Sequence, residues 1–232
     1  MFSALATRYD RANRILSFAQ DRRWRRVLVR LVQPRPHSCA LDVCTGTGDL
    51  ALALARCGGV TVTGVDLSQA MLDLASHKAK KVGLDGRVTF VAGNALTLPC
   101  CDEAFDLATI AFGLRNLPDY ERGLGELFRV LKPGGQVCVL EFSKPRGLWG
   151  KAFLFYLRHI LPRLGGWITG QPDAYRYLDA SIRGFPAREG LKALLEAAGF
   201  SQLRVHALNG GIALIHYGVK PLLTLLGVFL IR

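Results

Sequence analysis

A glycine-rich turn flanked by carboxylates is the part of this sequence best suited to chemistry. The apolar run 39–43 leads into Gly46-Thr47-Gly48 and then into a segment rich in alanine and leucine. Glycines at 46 and 48 allow a backbone to approach a ligand closely. Asp66 ends the next apolar run, at a spacing that suits a carboxylate bonded to both hydroxyls of a ribose. The stretch therefore predicts a nucleotide-type ligand between a strand and a helix.

Spacing alone leaves two ligand classes open at this turn. Gly46, Gly48 and Ala51 also match the dinucleotide pattern, in which a pyrophosphate lies on a helix N-terminus. Carboxylates at Asp42 and Asp49 would repel a pyrophosphate, but they suit a ligand that carries an ammonium and a sulfonium, such as S-adenosylmethionine. Asp49 also has a structural interpretation, as an acidic residue in the first turn of a helix. Charge therefore favours the methyl donor over NAD.

Strands and helices alternate along the rest of the chain. The strands are predicted near 39–43, 61–65, 87–92, 105–111, 136–142, 201–208 and 212–217. Helices are predicted near 49–57, from Ser68 onward, 119–131 and 187–198. The last two strands flank Asn209-Gly210-Gly211 and predict an antiparallel hairpin. The fold class expected is α/β, a Rossmann-like seven-stranded sheet of the class I methyltransferase type, with ligands at the carboxyl ends of the parallel strands.

Two segments lie outside this alternation. Residues 1–36 contain nine arginines interleaved with apolar residues, which predicts two amphipathic helices that form an N-terminal cap over the ligand site. Residues 147–178 form a strongly apolar helical insertion before the last strands, either packed on the core or acting as a lid over an apolar substrate. We therefore predict one methyltransferase domain over 1–218 and a hydrophobic C-terminal extension over 219–232.

Charge and cysteine content indicate the partners and the compartment. Lys and Arg number 30 against 18 Asp and Glu, a net charge of +12 that favours an anionic nucleic acid or membrane surface. The basic residues are spread along the chain without stacking motifs, which disfavours nucleic acid. The six cysteines lack metal-ligand spacing, so we expect reduced thiols and no metal in a cytoplasmic protein. Peripheral contact with the inner face of an anionic membrane is the expectation that remains.

Several longer motifs together resemble the ubiquinone/menaquinone biosynthesis C-methyltransferase family. The resemblance covers roughly 1–218, and its most specific motifs are Phe112-Gly113-Leu114-Arg115-Asn116 and Leu140-Glu141-Phe142-Ser143-Lys144-Pro145. Further motifs are Met1-Phe2-Ser3 with Arg8-Tyr9-Asp10, 41–50, 129–135, 175–177, Ser181-Ile182, Phe185-Pro186, Gly211-Ile212 and His216.

The resemblance implies methyl transfer from S-adenosylmethionine to a ring carbon of a polyprenylated demethylquinol. The acceptor would be demethylmenaquinol or the 2-methoxy-6-polyprenyl-1,4-benzoquinol of ubiquinone synthesis. Another small apolar molecule, such as a sterol, is the alternative. Some members bind the donor through a serine at a position that Ala111 occupies here. The residues expected at the donor are Asp42, Gly46, Thr47, Gly48, Asp66, Asn94 and Ala95.

The implied chemistry assigns roles to three side chains. A quinol carbon is a poor nucleophile until a neighbouring hydroxyl, with a pKa of about 10 for a simple phenol, loses its proton. Arg115 is permanently cationic and would stabilise the phenolate as it forms. Tyr9 and Asn116 would hold the water that accepts the proton. His159 and His216 are weaker candidates for the base, and a structural role is favoured for both.

Overall fold

A seven-stranded mixed sheet is the centre of the fold in the computed structural model, which describes residues 20–145, 147–163 and 172–222. Its strands are β1 Cys39–Val43, β2 Thr61–Asp66, β3 Val88–Ala92, β4 Phe105–Ala111, β5 Leu131–Phe142, β6 Ser201–Leu208 and β7 Ala213–Val219. They lie in the order β3-β2-β1-β4-β5-β7-β6, with β7 antiparallel to both of its neighbours and the other pairs parallel. The predicted fold class is confirmed.

Helices cover both faces of this sheet. They are α1 Gln20–Val32, α2 Asp49–Ala55, α3 Gln69–Lys81, α4 Tyr120–Val130, α5 Gly147–Phe155, α6 Pro172–Gly184 and α7 Arg188–Ala197. Ala40 and Leu107 pack with α1, α2 and α3, whereas their neighbours Leu41 and Ala108 pack with α4 and α7. Because successive side chains of a strand alternate between the faces, the central strands are continuous apolar runs buried on both sides.

The junction between α4 and β5 differs from the prediction. The helix ends at Val130, one residue early, and Leu131 already pairs with Phe105 of β4. The next partner of β5 on this strand is Gln136, opposite Leu107, so 132–135 bulge out of the ladder. Apolar periodicity assigned Leu131 to the helix because a buried leucine fits either element. A proline and two glycines account for the bulge.

The appended segments are helical where the structure describes them. In the predicted cap, α1 buries Trp24 against the rings of Phe112 and Phe142, with ring centroids 5.9 Å from each. The first 19 residues, with the first of the two predicted cap helices, lie outside the described residues, as do 223–232 of the predicted extension. In the insertion, α5 continues into a π-helical turn at Tyr156–Ile160. Among the helices described, none has the length and apolar character to cross a membrane.

Candidate active site

Parallel pairing brings the predicted site residues to one edge of the sheet. Val43, the last residue of β1, pairs with Val65 on one side and with Ile110 on the other. The loops that follow β1, β2 and β4 therefore leave the sheet side by side. This is the edge at which open α/β sheets bind their ligands.

The two glycines of the glycine loop, residues 44–48, have different roles. Gly46 and Gly48 have φ of 56° and 79°, in the left-handed region that favours glycine. A Cβ on Gly48 would lie 2.9 Å from both Ala75 and Phe90, so this glycine lets the loop pack on α3 and β3. A Cβ on Gly46 would meet nothing within 4 Å. Gly46 therefore borders open space of the kind that a ligand can fill.

Asp66 joins the glycine loop to the end of β2. Its Oδ2 accepts a hydrogen bond from the Gly46 amide at 2.8 Å, and its Oδ1 accepts one from the Ser68 amide at 2.9 Å. Each carboxylate oxygen can accept more than one hydrogen bond. The geometry thus leaves Asp66 able to receive two ribose hydroxyls at the open side of Gly46.

Asp42 lies beneath the loop rather than on its surface. The side chain is 1% exposed, and it accepts hydrogen bonds from Thr45 Oγ1 at 2.7 Å and from Thr109 Oγ1 at 2.8 Å. Burial raises the pKa of this carboxyl from 3.8 to about 6, although both threonine bonds oppose the shift. Asp42 was expected to contact the donor, whereas in this structure its carboxylate bonds to two threonines beneath the loop.

We expect this buried carboxyl to make stability depend on pH. Between 3.8 and about 6 the folded chain retains a proton on Asp42 that the unfolded chain has released. The free energy of unfolding should therefore fall as pH rises through this window, by up to about 3 kcal/mol.

Chemical denaturation at several pH values should show this fall in the wild type and its loss in Asp42→Asn. Thr109→Val removes one bond to the carboxylate and should extend the fall to higher pH. Identical profiles for all three proteins would contradict this assignment.

Lys78 corrects the charge argument made from the sequence. Its Nζ donates to Asp49 Oδ1 at 2.9 Å and to Thr47 Oγ1 at 2.7 Å. Asp49 is therefore not an isolated negative charge at the helix N-terminus, and it repels a pyrophosphate less than the sequence suggested. Lys78 was missed as a site residue. Helical spacing offered a signal, because Ala75 and Met71 are buried and lie about one and two turns, respectively, before Lys78 on the same side of the helix.

A buried ion pair lies at the ligand edge of the sheet, where β4 and β5 end. Arg115 lies in a short 3₁₀ turn, Leu114–Asn116, that follows β4. Its guanidinium nitrogen Nη1 donates to Glu141 Oε1 at 2.7 Å and to the Phe112 carbonyl at 2.6 Å. The two charged side chains are 6% and 1% exposed. Glu141 was predicted only as part of a motif, without a role.

The Nε–H donor of Arg115 is left unused in this arrangement. Its Nε is buried and has no hydrogen-bond partner among the residues that the structure describes. The guanidinium carbon lies 5.4 Å from the ring centroid of Phe142. A buried N–H without a partner costs free energy, so an oxygen that reached it would be held strongly.

The remaining predicted residues are placed as follows. Asn116 is exposed, and its Nδ2 donates to the Phe112 carbonyl at 3.4 Å. Asn94 and Ala95 follow β3, whose Ala92 pairs with Asp66, so they lie at the same edge. Asn94 is exposed, whereas Ala95 is buried. Tyr9 lies outside the described residues.

Both histidines have surroundings that support the structural interpretation. The Nε2 of His216 lies 3.1 Å from the Arg188 carbonyl in the interior of the protein, and burial lowers the pKa of the ring. His159 is exposed on the π-helical turn and packs on Phe155, with ring centroids 4.8 Å apart. Within the described ranges, no cluster of three or more His, Cys, Asp or Glu residues could hold a metal ion.

Comparison of the sequence with known proteins assigns the chain to one family. The model of the ubiE/COQ5 methyltransferase family matches residues 1–220. The chain belongs to the ubiE/COQ5 methyltransferase family. A demethylmenaquinone methyltransferase from Thermus thermophilus is 51% identical over 223 residues, which cover 95% of this chain and all of that protein. A ubiquinone/menaquinone biosynthesis C-methyltransferase, UbiE, from Geobacter sulfurreducens is 44% identical, over 96% of this chain and 88% of that protein.

A solved structure shares this fold. It is a SAM-dependent methyltransferase of Thermotoga maritima, described as a possible histamine N-methyltransferase, with a TM-score of 0.69 and 22% identity. The match covers 94% of this chain and 98% of that chain. At this identity the likeness concerns the fold alone. The predicted family, the methyltransferase class and the class I fold are confirmed together.

Proposed function

We propose that the protein transfers a methyl group from S-adenosylmethionine to a ring carbon of a polyprenylated demethylquinol. The observation that carries this proposal is the 51% identity, over the full length of the relative, to a demethylmenaquinone methyltransferase. Demethylmenaquinol is therefore the first candidate acceptor. The benzoquinol of ubiquinone synthesis is the second, because other relatives of similar coverage are named for both pathways.

The donor is S-adenosylmethionine, and the residues at the sheet edge fit it. The space above Gly46 admits a ligand, and the Asp66 carboxylate matches the two ribose hydroxyls. Leu67, next in sequence, is 73% exposed and offers an apolar surface to the adenine beside Asn94 and Ala95. When bound, the donor supplies an electrophilic methyl carbon. The protein has to hold this carbon close to the ring carbon of the acceptor.

At the acceptor end, the protein has to stabilise a phenolate. The unpartnered Nε–H of Arg115 is the donor proposed to meet the quinol oxygen as its proton leaves. Glu141 keeps the guanidinium in place and balances its charge when no acceptor is bound. The proton passes to a water held by Asn116 and Tyr9, because a guanidinium does not give up its own proton in this pH range.

A methyl-transfer assay with labelled S-adenosylmethionine tests this function. The acceptors are demethylmenaquinol and the demethylated benzoquinol, both with short prenyl chains, each offered also in its oxidised quinone form. We expect label on the ring carbon of a quinol and none on either quinone, because a quinone has no hydroxyl to ionise. A sterol serves as the apolar control. Equal labelling of the sterol, or none of either quinol, would refute the proposal.

We also propose peripheral contact with an anionic membrane through two surfaces. The first is a basic stripe on α1, formed by the exposed arginines Arg22, Arg23, Arg26 and Arg30. The second is the apolar side of the insertion, where Leu148 is 84% exposed near Trp149, Phe155 and Ile160. The turn at Asn209 bonds to both helices that carry these surfaces, because Trp24 Nε1 donates to Asn209 Oδ1 at 2.8 Å and Trp149 Nε1 to its carbonyl at 3.4 Å. A basic surface combined with an apolar one is typical of proteins that bind the membrane interface.

Co-sedimentation with vesicles checks this contact. Binding to vesicles that contain phosphatidylglycerol should fall as salt rises, since surface charge is screened over about 10 Å at 0.1 M. Removing two arginines, as in Arg22→Gln with Arg26→Gln, should weaken binding roughly 30-fold at about 1 kcal/mol per charge. The charge-matched control is Lys80→Gln with Lys81→Gln on α3, which should bind like the wild type. Equal recovery on neutral phosphatidylcholine at low salt would contradict the electrostatic part.

A further inference from the structure

A helix of the insertion reaches the acceptor end of the site. α6 packs against the Leu114–Asn116 turn, although it lies 56 positions or more along the chain from Asn116. Tyr177 on this helix donates a hydrogen bond from its hydroxyl to Asn116 Oδ1 at 3.2 Å. The strand edge and the glycine loop explain donor binding without this contact. We therefore ask whether the hydrogen bond between Tyr177 and Asn116 serves the methyl acceptor.

The contact determines how the Asn116 amide is turned. The two ends of an asparagine amide are distinguished by their hydrogen-bond partners. Here Oδ1 receives the Tyr177 hydroxyl, and Nδ2 faces the Phe112 carbonyl at 3.4 Å. The amide nitrogen carries two N–H groups, so one remains for an oxygen of the acceptor or of its water. Turned the other way, the amide would place its oxygen against the Phe112 carbonyl, which is repulsive.

The position of the pair is suited to contact with a substrate. Tyr177 is 52% exposed and Asn116 is also exposed, so both are accessible from outside the core. Beside them, Tyr120 packs edge-on against Phe185, with ring centroids 5.5 Å apart. Burial raises the pKa of the Tyr120 phenol, and the neighbouring Glu141 and Tyr177 add to the shift. Phenol groups from α4 and α6 therefore lie around the Arg115–Glu141 pair.

We propose that Tyr177 is a positioning residue for the methyl acceptor. Its hydroxyl holds the Asn116 amide so that an Nδ2–H faces the acceptor oxygen or the water beside it. The inference rests on the proposed function and adds the part that the insertion plays in it. The acceptor site is then complete only when α6 is docked on the turn.

Tyr177→Phe tests this role because it removes the hydroxyl and keeps the ring. With a short-chain demethylquinol we expect kcat to fall about 3- to 10-fold, the usual effect of one hydrogen bond. The Kd for S-adenosylmethionine and the melting temperature should stay at their wild-type values. The control is Tyr217→Phe, since Tyr217 pairs with Cys138 in the middle of the sheet, away from the ligand edge. That variant should keep the wild-type kcat.

A double-mutant cycle asks whether Tyr177 acts through Asn116. Asn116→Ala combined with Tyr177→Phe should be no slower than Asn116→Ala alone, because the group being positioned is already gone. Losses that multiply would show that Tyr177 acts by another route and would overturn the inference. A wild-type kcat in Tyr177→Phe would overturn it as well.

An NMR measurement separates this inference from the proposed function. The side-chain amide signals of Asn116 are identified by their loss in Asn116→Ala. They should shift in Tyr177→Phe and not in Tyr217→Phe, whether or not a quinol is methylated. Absence of turnover in the wild type would refute the proposed function alone. Unchanged Asn116 signals in Tyr177→Phe would refute the positioning role alone.

Discussion

Arg115→Ala is expected to lower kcat by about 10²- to 10³-fold while the affinity for S-adenosylmethionine stays nearly unchanged. Negative charge grows on the quinol oxygen as its proton leaves, so a fixed cation there stabilises the transition state more than the ground state. Loss of one such donor typically has an effect of this size. Arg115→Lys should recover part of the rate, because lysine keeps the charge and lacks the planar fork. Single-turnover methyl-transfer kinetics measures the step directly.

The ion pair with Glu141 gives the same substitution a second effect. Removing Arg115 leaves a buried carboxylate without its partner, which costs about 3–5 kcal/mol of stability. The double variant Arg115→Met with Glu141→Gln removes both charges, and the glutamine oxygen can still accept from the Phe142 amide. We expect this variant to recover most of the melting temperature and none of the rate. A double variant that recovered both would show that Arg115 holds the fold and does not act on the phenolate.

Asp66→Ala is expected to weaken binding of S-adenosylmethionine by about 10- to 150-fold. Hydrogen bonds to a charged group contribute about 1.5–3 kcal/mol, and this carboxylate also fixes the Gly46 amide of the glycine loop. Isothermal titration calorimetry measures the loss. Asp66→Asn is the matched variant, because its oxygen can still accept from Gly46 and should therefore retain part of the affinity.

Binding of NAD is measured to test the dinucleotide alternative. We expect the wild-type protein not to bind NAD when NAD is offered at a concentration at which S-adenosylmethionine saturates the site. Unchanged donor affinity in Asp66→Ala would remove this residue from the donor site. Tight binding of NAD would reopen the dinucleotide alternative that the spacing of Gly46 and Gly48 allows.

The parts of the fold that could be predicted from sequence are those that depend on local signals. Apolar runs bounded by glycine or proline located six of the strands to within a few residues, including the final hairpin around Asn209, whereas β5 begins five residues before its predicted start. The spacing from Gly48 to Asp66 placed both residues at one sheet edge. These signals work because a strand that is buried on both faces has a continuous run of apolar residues in its own sequence. The junction at Leu131 was misjudged, since a buried leucine there fits either element.

The pairings within the site could not be predicted, because each joins residues that are distant in sequence. Lys78 reaches Asp49 across 29 positions, Arg115 reaches Glu141 across 26, and Tyr177 reaches Asn116 across 61. Hydropathy patterns say which face a side chain occupies, not which partner it meets there. Asp49 was for this reason taken as an unbalanced negative charge, although Lys78 forms an ion pair with it.

The position of β7 between β5 and β6 has a consequence for how the chain folds. β5 ends at Phe142, and its antiparallel neighbour begins at Ala213, so a growing chain exposes the backbone edge of β5 until the last strands have been made. Non-local pairing of this kind slows folding, and an open strand edge invites association with other chains. During synthesis, the insertion and α7 emerge before this edge is covered. The period of greatest aggregation risk therefore falls late, when most of the polypeptide already exists.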